Sequence, residues 1–476
     1  MPSKGIDVYS FVAVPGYRIE FSVPGTAITH DSNHNFTTSH LEVESGAIPG
    51  RTHFVGRFSW RALNEDGVEV ASGFNDVNAL TGNLAAGNMQ ATAHQFSIVS
   101  DEVVVSYGFY DAGHGEAGLT SHHQCYVTVV STLLHQNWMA RIAPPGSENA
   151  RKPFSRFALA APHDDGMNSM ETCHAVLDGR GAETVAKLVE HLPAVQWLAE
   201  HMSHTALAHL LPNIIYGVAI TQKDSMPTML SLGARYFEFR PANLVPMFQD
   251  VAKLQNKPYF QHACIPGLGF DAFLDQLVAF LDANPYEHVV VHLRWDNVVS
   301  ECKRPTPEEI GAALDAACAK ASQNGPLSWG DASCFDEPID SLRAAGKRII
   351  CVVDAQKYDS WTADAYATLS ADSILERFEG MTTEGQLDSD ITVLQCQATS
   401  QSIKEVVVYS ILAANADTSC LTSTKAALDM RTLPWVRENA VERLKAEKLL
   451  VVMNDFIDGA TTDTVIELNK KRFAEP

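Results

Sequence analysis

Residues 259–296 read YFQHACIPGLGFDAFLDQLVAFLDANPYEHVVVHLRWD. The apolar run YFQHAC predicts a strand. From Phe270 onward, Phe270, Phe273, Leu274, Leu277, Phe280 and Leu281 recur at helical spacing and share one helix face. HVVVHLRWD, nearly all apolar, predicts a second strand. A strand, an amphipathic helix and a strand apolar on both faces form the repeating unit of a parallel sheet covered by helices.

The same alternation extends on both sides. FALAAPH (157–163), ARYFEFRPA (234–242), RIICVVD (348–354), ITVLQCQA (391–398) and KLLVVMND (448–455) predict further strands, most of them separated by helical patterns. Seven good strands predict an α/β fold, a TIM-type (β/α) barrel over 154–476, distorted because an eight-fold ring would need one more strand. Residues 1–141 differ. Short alternating runs such as HFVGRFSWRAL and EVVVSYGFYDA are broken by turn-rich pieces such as NEDG and DAGHGEAG, which predicts an all-β, sandwich-like accessory domain. IAPPGSENARKP (142–153) is the expected linker. The long connection 166–222 holds an apolar helical stretch, read as an extra packing helix, with a lid as the alternative.

Composition narrows the function. The chain of 476 residues is 46% hydrophobic and 19% charged, as in folded globular proteins, and carries a formal net charge of −22. That charge repels a phosphate backbone and predicts no nucleic-acid partner. No apolar run is long enough for a transmembrane segment, and MPSKGIDVYSF lacks the apolar core of a signal peptide. The nine cysteines are scattered, mostly in apolar segments, and predict reduced thiols. The expectation is a cytoplasmic protein, with peripheral contact the form of membrane association it allows.

Polar residues cluster where predicted strands end. His163 and Asp164 end one strand, Glu238 and Arg240 another, His262 a third, Arg294 a fourth, Asp354 a fifth and Asp455 the last. In a parallel barrel those ends meet at one mouth. Histidine gives and takes protons near neutral pH, carboxylates orient imidazoles, and a guanidinium offers paired donors to a phosphate. Glu238 and Arg240 alternate along a strand and share a face. A guanidinium there supplies positive charge and would repel a metal ion, so neither metal nor cofactor is expected. Other histidines lie close enough in sequence to suggest metal ligands: His30, His34 and His40 in one loop, His122 and His123 near Cys125, and His201, His204 and His209 on a helix. None shows an evident full ligand set, and none is read as a site.

The motifs PHDDGMNSM, LGARYFEFRP, QHACIPG with FLDANPYEHVVVHLRWD, and MNDFID, in this order over 155–460, resemble the X-domain of phosphatidylinositol-specific phospholipase C and related PLC-like phosphodiesterases, most closely the fungal members. The resemblance implies His163 as general base, oriented by Asp455. It implies His262 as general acid with Asp164 behind it, and Arg240, supported by Glu238, on the phosphate. The substrate it implies is a phospholipid or another phosphodiester. Asp164 stands where the calcium-dependent signalling enzymes have Asn, which points to a metal-independent reaction. Arg240 counts against the related glycerophosphodiester phosphodiesterases, whose metal site needs paired acids on this strand. The chain departs from the family at Ala263, where Gly is usual, at Glu238, where Asp is usual, and at Asp354, near a basic position of the bacterial members. Arg294 matches a basic position and is a substrate-binding candidate, as is Asp354. A glycosyl-phosphatidylinositol, a glycerophospho-compound, or an inactive barrel that binds lipid or sugar are the rival readings.

Overall fold

The computed structural model describes residues 4–50, 54–113, 119–191, 193–251, 253–399, 409 and 417–475. The N-terminal alternation becomes ten strands: β1 Ile6–Val12, β2 Arg18–Val23, β3 Thr26–Asp31, β4 Phe36–Leu41, β5 Val55–Leu63, β6 Glu69–Asn78, β7 Leu84–Gly87, β8 Ile98–Val99, β9 Val103–Tyr110 and β10 His123–Ser131. They form two five-stranded sheets, β4-β1-β10-β9-β8 and β3-β2-β5-β6-β7. All pairs are antiparallel except β1 with β10. Inward residues of both sheets share one core, where Phe58 meets Phe109 and Trp60 meets Tyr107 at ring separations of 5.9 and 4.9 Å.

All seven expected strands of the second region are present: β11 Ala158–Pro162, β12 Tyr236–Phe239, β14 Tyr259–His262, β16 Val289–Leu293, β18 Lys347–Val353, β20 Ile391–Gln395 and β21 Leu449–Asn454. Four short strands join them: β13 Pro241–Ala242, β15 Ile265–Gly269, β17 Ser328–Gly330 and β19 Lys357–Asp359. The parallel sheets β11-β21-β20-β19 and β12-β16-β18-β17 meet where Arg235 N–H donates to Ala160 O at 3.0 Å.

The described strands do not close a hydrogen-bonded ring, which corrects the expected barrel. β17 occupies the edge of β18 that would otherwise face β19 and β20. β14 also departs from the expectation. It lies in an antiparallel sheet β13-β14-β15, so His262 arrives on a strand that runs against β13. The chain leaves β12, pairs back on itself, and brings Gln261 N–H to Arg240 O at 3.1 Å.

Helices Glu171–His191 and His204–Ala219 occupy the long connection, and Val185, Leu188, Leu207, Leu211, Ile214 and Ile215 bury their side chains in the main core. All nine cysteines are free and buried. Among the described residues no helix is long and apolar enough to cross a membrane.

One buried ion pair ties the segment before the second region to its sheet. Arg235 and Glu287 are both fully buried, 2.8 Å apart. Arg235 also donates to the carbonyls of Leu230, Ala234 and Gln136, and Glu287 accepts from the N–H groups of Met139 and Ala140. Removing one partner of such a pair strands a buried charge. Arg235→Met is expected to cost about 3–5 kcal/mol in urea unfolding. A loss below about 1 kcal/mol would show that Glu287 is satisfied without it.

Candidate active site

The C-terminal ends of the parallel strands come together through backbone bonds. His163 N–H donates to Asn454 O, Arg294 N–H to Phe239 O and Asp354 N–H to Leu293 O. Immediately past the strands, Asp164 (φ 45°), Ala263 (φ 56°), Asp354 (φ 45°) and Phe456 (φ 44°) take left-handed backbone conformations. Four non-glycine residues in this costly region turn the chain sharply at one end of the sheet, as happens where the surrounding fold over-determines the backbone. Ala263 shows why glycine suits this place: its φ is one that a Cβ disfavours.

Asp164 is the hub. Its side chain is 3% exposed, and its Oδ1 lies 2.5 Å from Arg240 Nη2. Its Oδ2 lies 3.9 Å from His163 Nε2 and 3.8 Å from His262 Nε2. The two imidazoles, 23% and 28% exposed, both present Nε2 to this buried anion. His163 Nδ1–H donates to Asp455 Oδ1 at 2.8 Å, which leaves Nε2 for a reacting group. His262 Nδ1 and Arg240 Nε are buried without a hydrogen-bond partner.

Glu238 forms a second buried anionic centre. Its Oε1 accepts from Arg294 Nη1 at 2.6 Å and lies 3.8 Å from Arg240 Nη2. Its Oε2 lies 3.5 Å from Lys357 Nζ. Arg294 also pairs with Asp296. Beneath them, Ala355 N–H donates to His292 Nε2 at 3.1 Å, so the neutral ring carries its proton on Nδ1, facing the Tyr236 hydroxyl 2.6 Å away.

The structure therefore brings His163, Asp164, Glu238, Arg240, His262, Arg294 and Asp455 together. Asp354 is different: it is exposed, and its side chain has no ion pair or hydrogen bond to this group. The basic residue at that corner is Lys357, which sequence reading missed. Its only signal was a lysine just beyond a strand end. Thr221 and Gln222 were also missed. Thr221 Oγ1 donates to His163 O at 2.7 Å, and Gln222 Nε2 donates to His163 O and Asn454 O at 3.0 and 3.1 Å. Gln222 Oε1 accepts Ile457 N–H, so the side chain clamps the ends of β11 and β21. Asp165, fully buried with both carboxyl oxygens unpartnered, is a further missed residue.

The charges set the protons. Burial alone would lower His163, but Asp164 and Asp455 outweigh it and hold the imidazole up at about 9. Burial dominates at His262 and lowers it to about 4, with Arg240 and His163 adding to the fall. Burial would raise Asp164 and Glu238, yet neighbouring cations keep both below the ordinary carboxylate range. Burial, with Asp164 and Glu238 nearby, pushes the Asp165 carboxyl well up. Asp455→Asn removes one of the two anions that raise His163. Its imidazole is expected to titrate nearer the ordinary value of about 6.5 in histidine NMR. An unchanged midpoint would show that Asp455 does not set the charge of His163.

No protein-family model and no curated protein matches the chain. Among solved structures, it is similar to a phosphatidylinositol-specific phospholipase C from Listeria monocytogenes, with 14% identity and a TM-score of 0.39, over 71% of this chain and 99% of that one. It is also similar to mutant forms of the phosphatidylinositol-specific phospholipase C from Staphylococcus aureus. One has 13% identity and a TM-score of 0.39 over 70% of this chain and 96% of that one. Another has 13% identity and a TM-score of 0.40 over 71% and 98%.

Proposed function

We propose that the protein cleaves a phosphodiester by phospholipase C-type transfer, in which a hydroxyl of the substrate itself attacks phosphorus. The observation that carries this reading is the pairing of two half-open imidazoles across one buried carboxylate that also binds a guanidinium. Proton donor, proton acceptor and anion binder then surround a single space.

The hydroxyl next to the phosphate loses its proton to His163 Nε2 as its oxygen bonds to phosphorus. The bond from phosphorus to the leaving oxygen breaks, and His262 delivers a proton to that oxygen. Arg240 holds the non-bridging oxygens as their charge grows. Phosphatidylinositol would give a cyclic inositol phosphate and diacylglycerol, with no water consumed. Arg294 and Lys357, anchored by Glu238, add positive potential on the headgroup side. Because these three cations surround the oxygens of Glu238, and Arg240 also holds Asp164, the chemistry of the site favours a reaction without a metal ion.

Near neutral pH these charges leave His163 protonated and His262 neutral. The transfer step ends with that allocation, and hydrolysis of a cyclic phosphate would begin with it. The forward step draws on the minor form, with neutral His163 and protonated His262. As pH falls below about 4, neutral His163 becomes scarcer while His262 is already fully protonated. As pH rises above about 9, protonated His262 becomes scarcer while His163 is already neutral. The expected kcat/KM profile is therefore a broad plateau between those limits. A narrow bell centred near about 6.5 would contradict this proton inventory.

Phosphorus NMR on phosphatidylinositol in mixed micelles with EDTA tests the reaction. The expected product is a cyclic inositol phosphate, absent with His163→Ala, which should lower turnover at least about 100-fold. No turnover by the unaltered protein on phosphatidylinositol or on a panel of other phosphodiesters, with or without divalent ions, would favour a lipid- or sugar-binding role.

A further inference from the structure

We propose that the N-terminal two-sheet region carries a divalent transition-metal site of the zinc class, built from Asp7, His40 and His122, with Glu42 orienting His40. The sequence separates these residues, and the sheet joins them. Asp7 on β1 lies directly opposite His40 on β4 in antiparallel register. His122 immediately precedes β10, which pairs with the other edge of β1.

Asp7 Oδ1 lies 2.7 Å from His40 Nδ1, and Asp7 Oδ2 lies 3.2 Å from His122 Nδ1. One ligand atom from each of the three residues lies within 4.8 Å of the others. Tetrahedral zinc with bonds of about 2.0–2.1 Å needs ligand atoms roughly 3.3 Å apart, a spacing inside the observed range. The two imidazole rings lie 5.1 Å apart, tilted by 50°. Both Nδ1 atoms therefore address the same carboxylate.

The outer side of His40 strengthens the case. Its Nε2 lies 3.0 Å from Glu42 Oε1. A metal-bound histidine almost always donates its remaining N–H to such a partner, which fixes the ring and raises its basicity. Backbone shape also holds the ring. A Cβ at Gly5, where φ is 68°, would lie 2.5 Å from His40 Cε1 and 3.0 Å from Glu42 Oε1. Only glycine lets the chain pass this close.

The donor set selects the ion. Two imidazoles and one carboxylate suit zinc, copper or nickel, whereas calcium wants six or more oxygens and magnesium an octahedral oxygen shell. Partial exposure of all three side chains leaves a coordination position for water. A purely electrostatic role explains the cluster less well. Half-exposed ion pairs contribute little. A metal ion would clip β1, β4 and the start of β10 together across long stretches of chain.

The full chain, stripped with EDTA and dialysed, is titrated with zinc by calorimetry and with cobalt by visible absorption. The unaltered protein is expected to take up one equivalent that the double variant His40→Ala, His122→Ala lacks. Glu42→Gln, which keeps all three ligands, should weaken zinc binding about 10–100-fold. Comparing variants separates this site from the cluster of Glu190, His191 and Glu301, which has one imidazole and engages Lys187. Equal uptake by the unaltered protein and the double variant, or uptake by neither, overturns the proposal. If the double variant fails to fold, unchanged affinity in Glu42→Gln overturns the assigned geometry.

Discussion

A carboxylate sealed from water must find its compensating charge within the protein, and Asp164 organises the candidate site through that need. Desolvating a carboxylate costs several kcal/mol unless cations repay it. Arg240 does so by direct contact and protonated His163 from a little farther away, while neutral His262 lies at a similar distance. These partners come from three different strand ends, so one buried anion fixes the relative placement of β11, β12 and β14. Glu238 repeats the device one residue pair deeper, with Arg294 and Lys357 as its cations. Burial, with Asp164 and Glu238 beside it, pushes the Asp165 carboxyl well above the ordinary range.

Among the described residues the sheets serve this arrangement without closing. β17 fills an edge that a closed ring would need, and β14 turns antiparallel to deliver His262 from the side. Four left-handed residues just beyond the strands redirect the chain within a single residue each. Thr221 and Gln222 lock two of those ends, so the backbone under His163 and Asp455 is held by side chains from the end of the helical connection that follows β11. The precision of the site lies in these clamps as much as in its charged groups.

Legibility followed periodicity. Runs such as VVVHL and LLVVMN and the stripe Phe270–Leu281 register burial directly, and they became β16, β21 and a helix. Polar residues at the ends of such runs stood out because an apolar strand has no other use for them. That exposed His163, Arg240, His262 and Asp455. Thr221 and Gln222 sit in a polar connection and Lys357 opens the three-residue strand β19, segments too short for anything to recur, so neither propensity nor pattern marks them. Asp354 ends a good strand too, but it has a left-handed backbone and is exposed, and the basic group beside Glu238 is Lys357.

By itself, the sequence determined which segments are apolar on one face or on both, and hence the alternation of strand and helix, the all-β character of the first region, and the residue types gathered at the strand ends. Hydrophobic burial acts locally enough for that information to be carried by spacing. Only the tertiary structure decided that the parallel strands remain two sheets, that His262 arrives antiparallel, and which anion each cation serves. It also decided that His40 and His122, dozens of residues apart, converge on Asp7. Those outcomes depend on edge pairing and on desolvated charge, which act between segments remote in the chain and leave no period in the sequence.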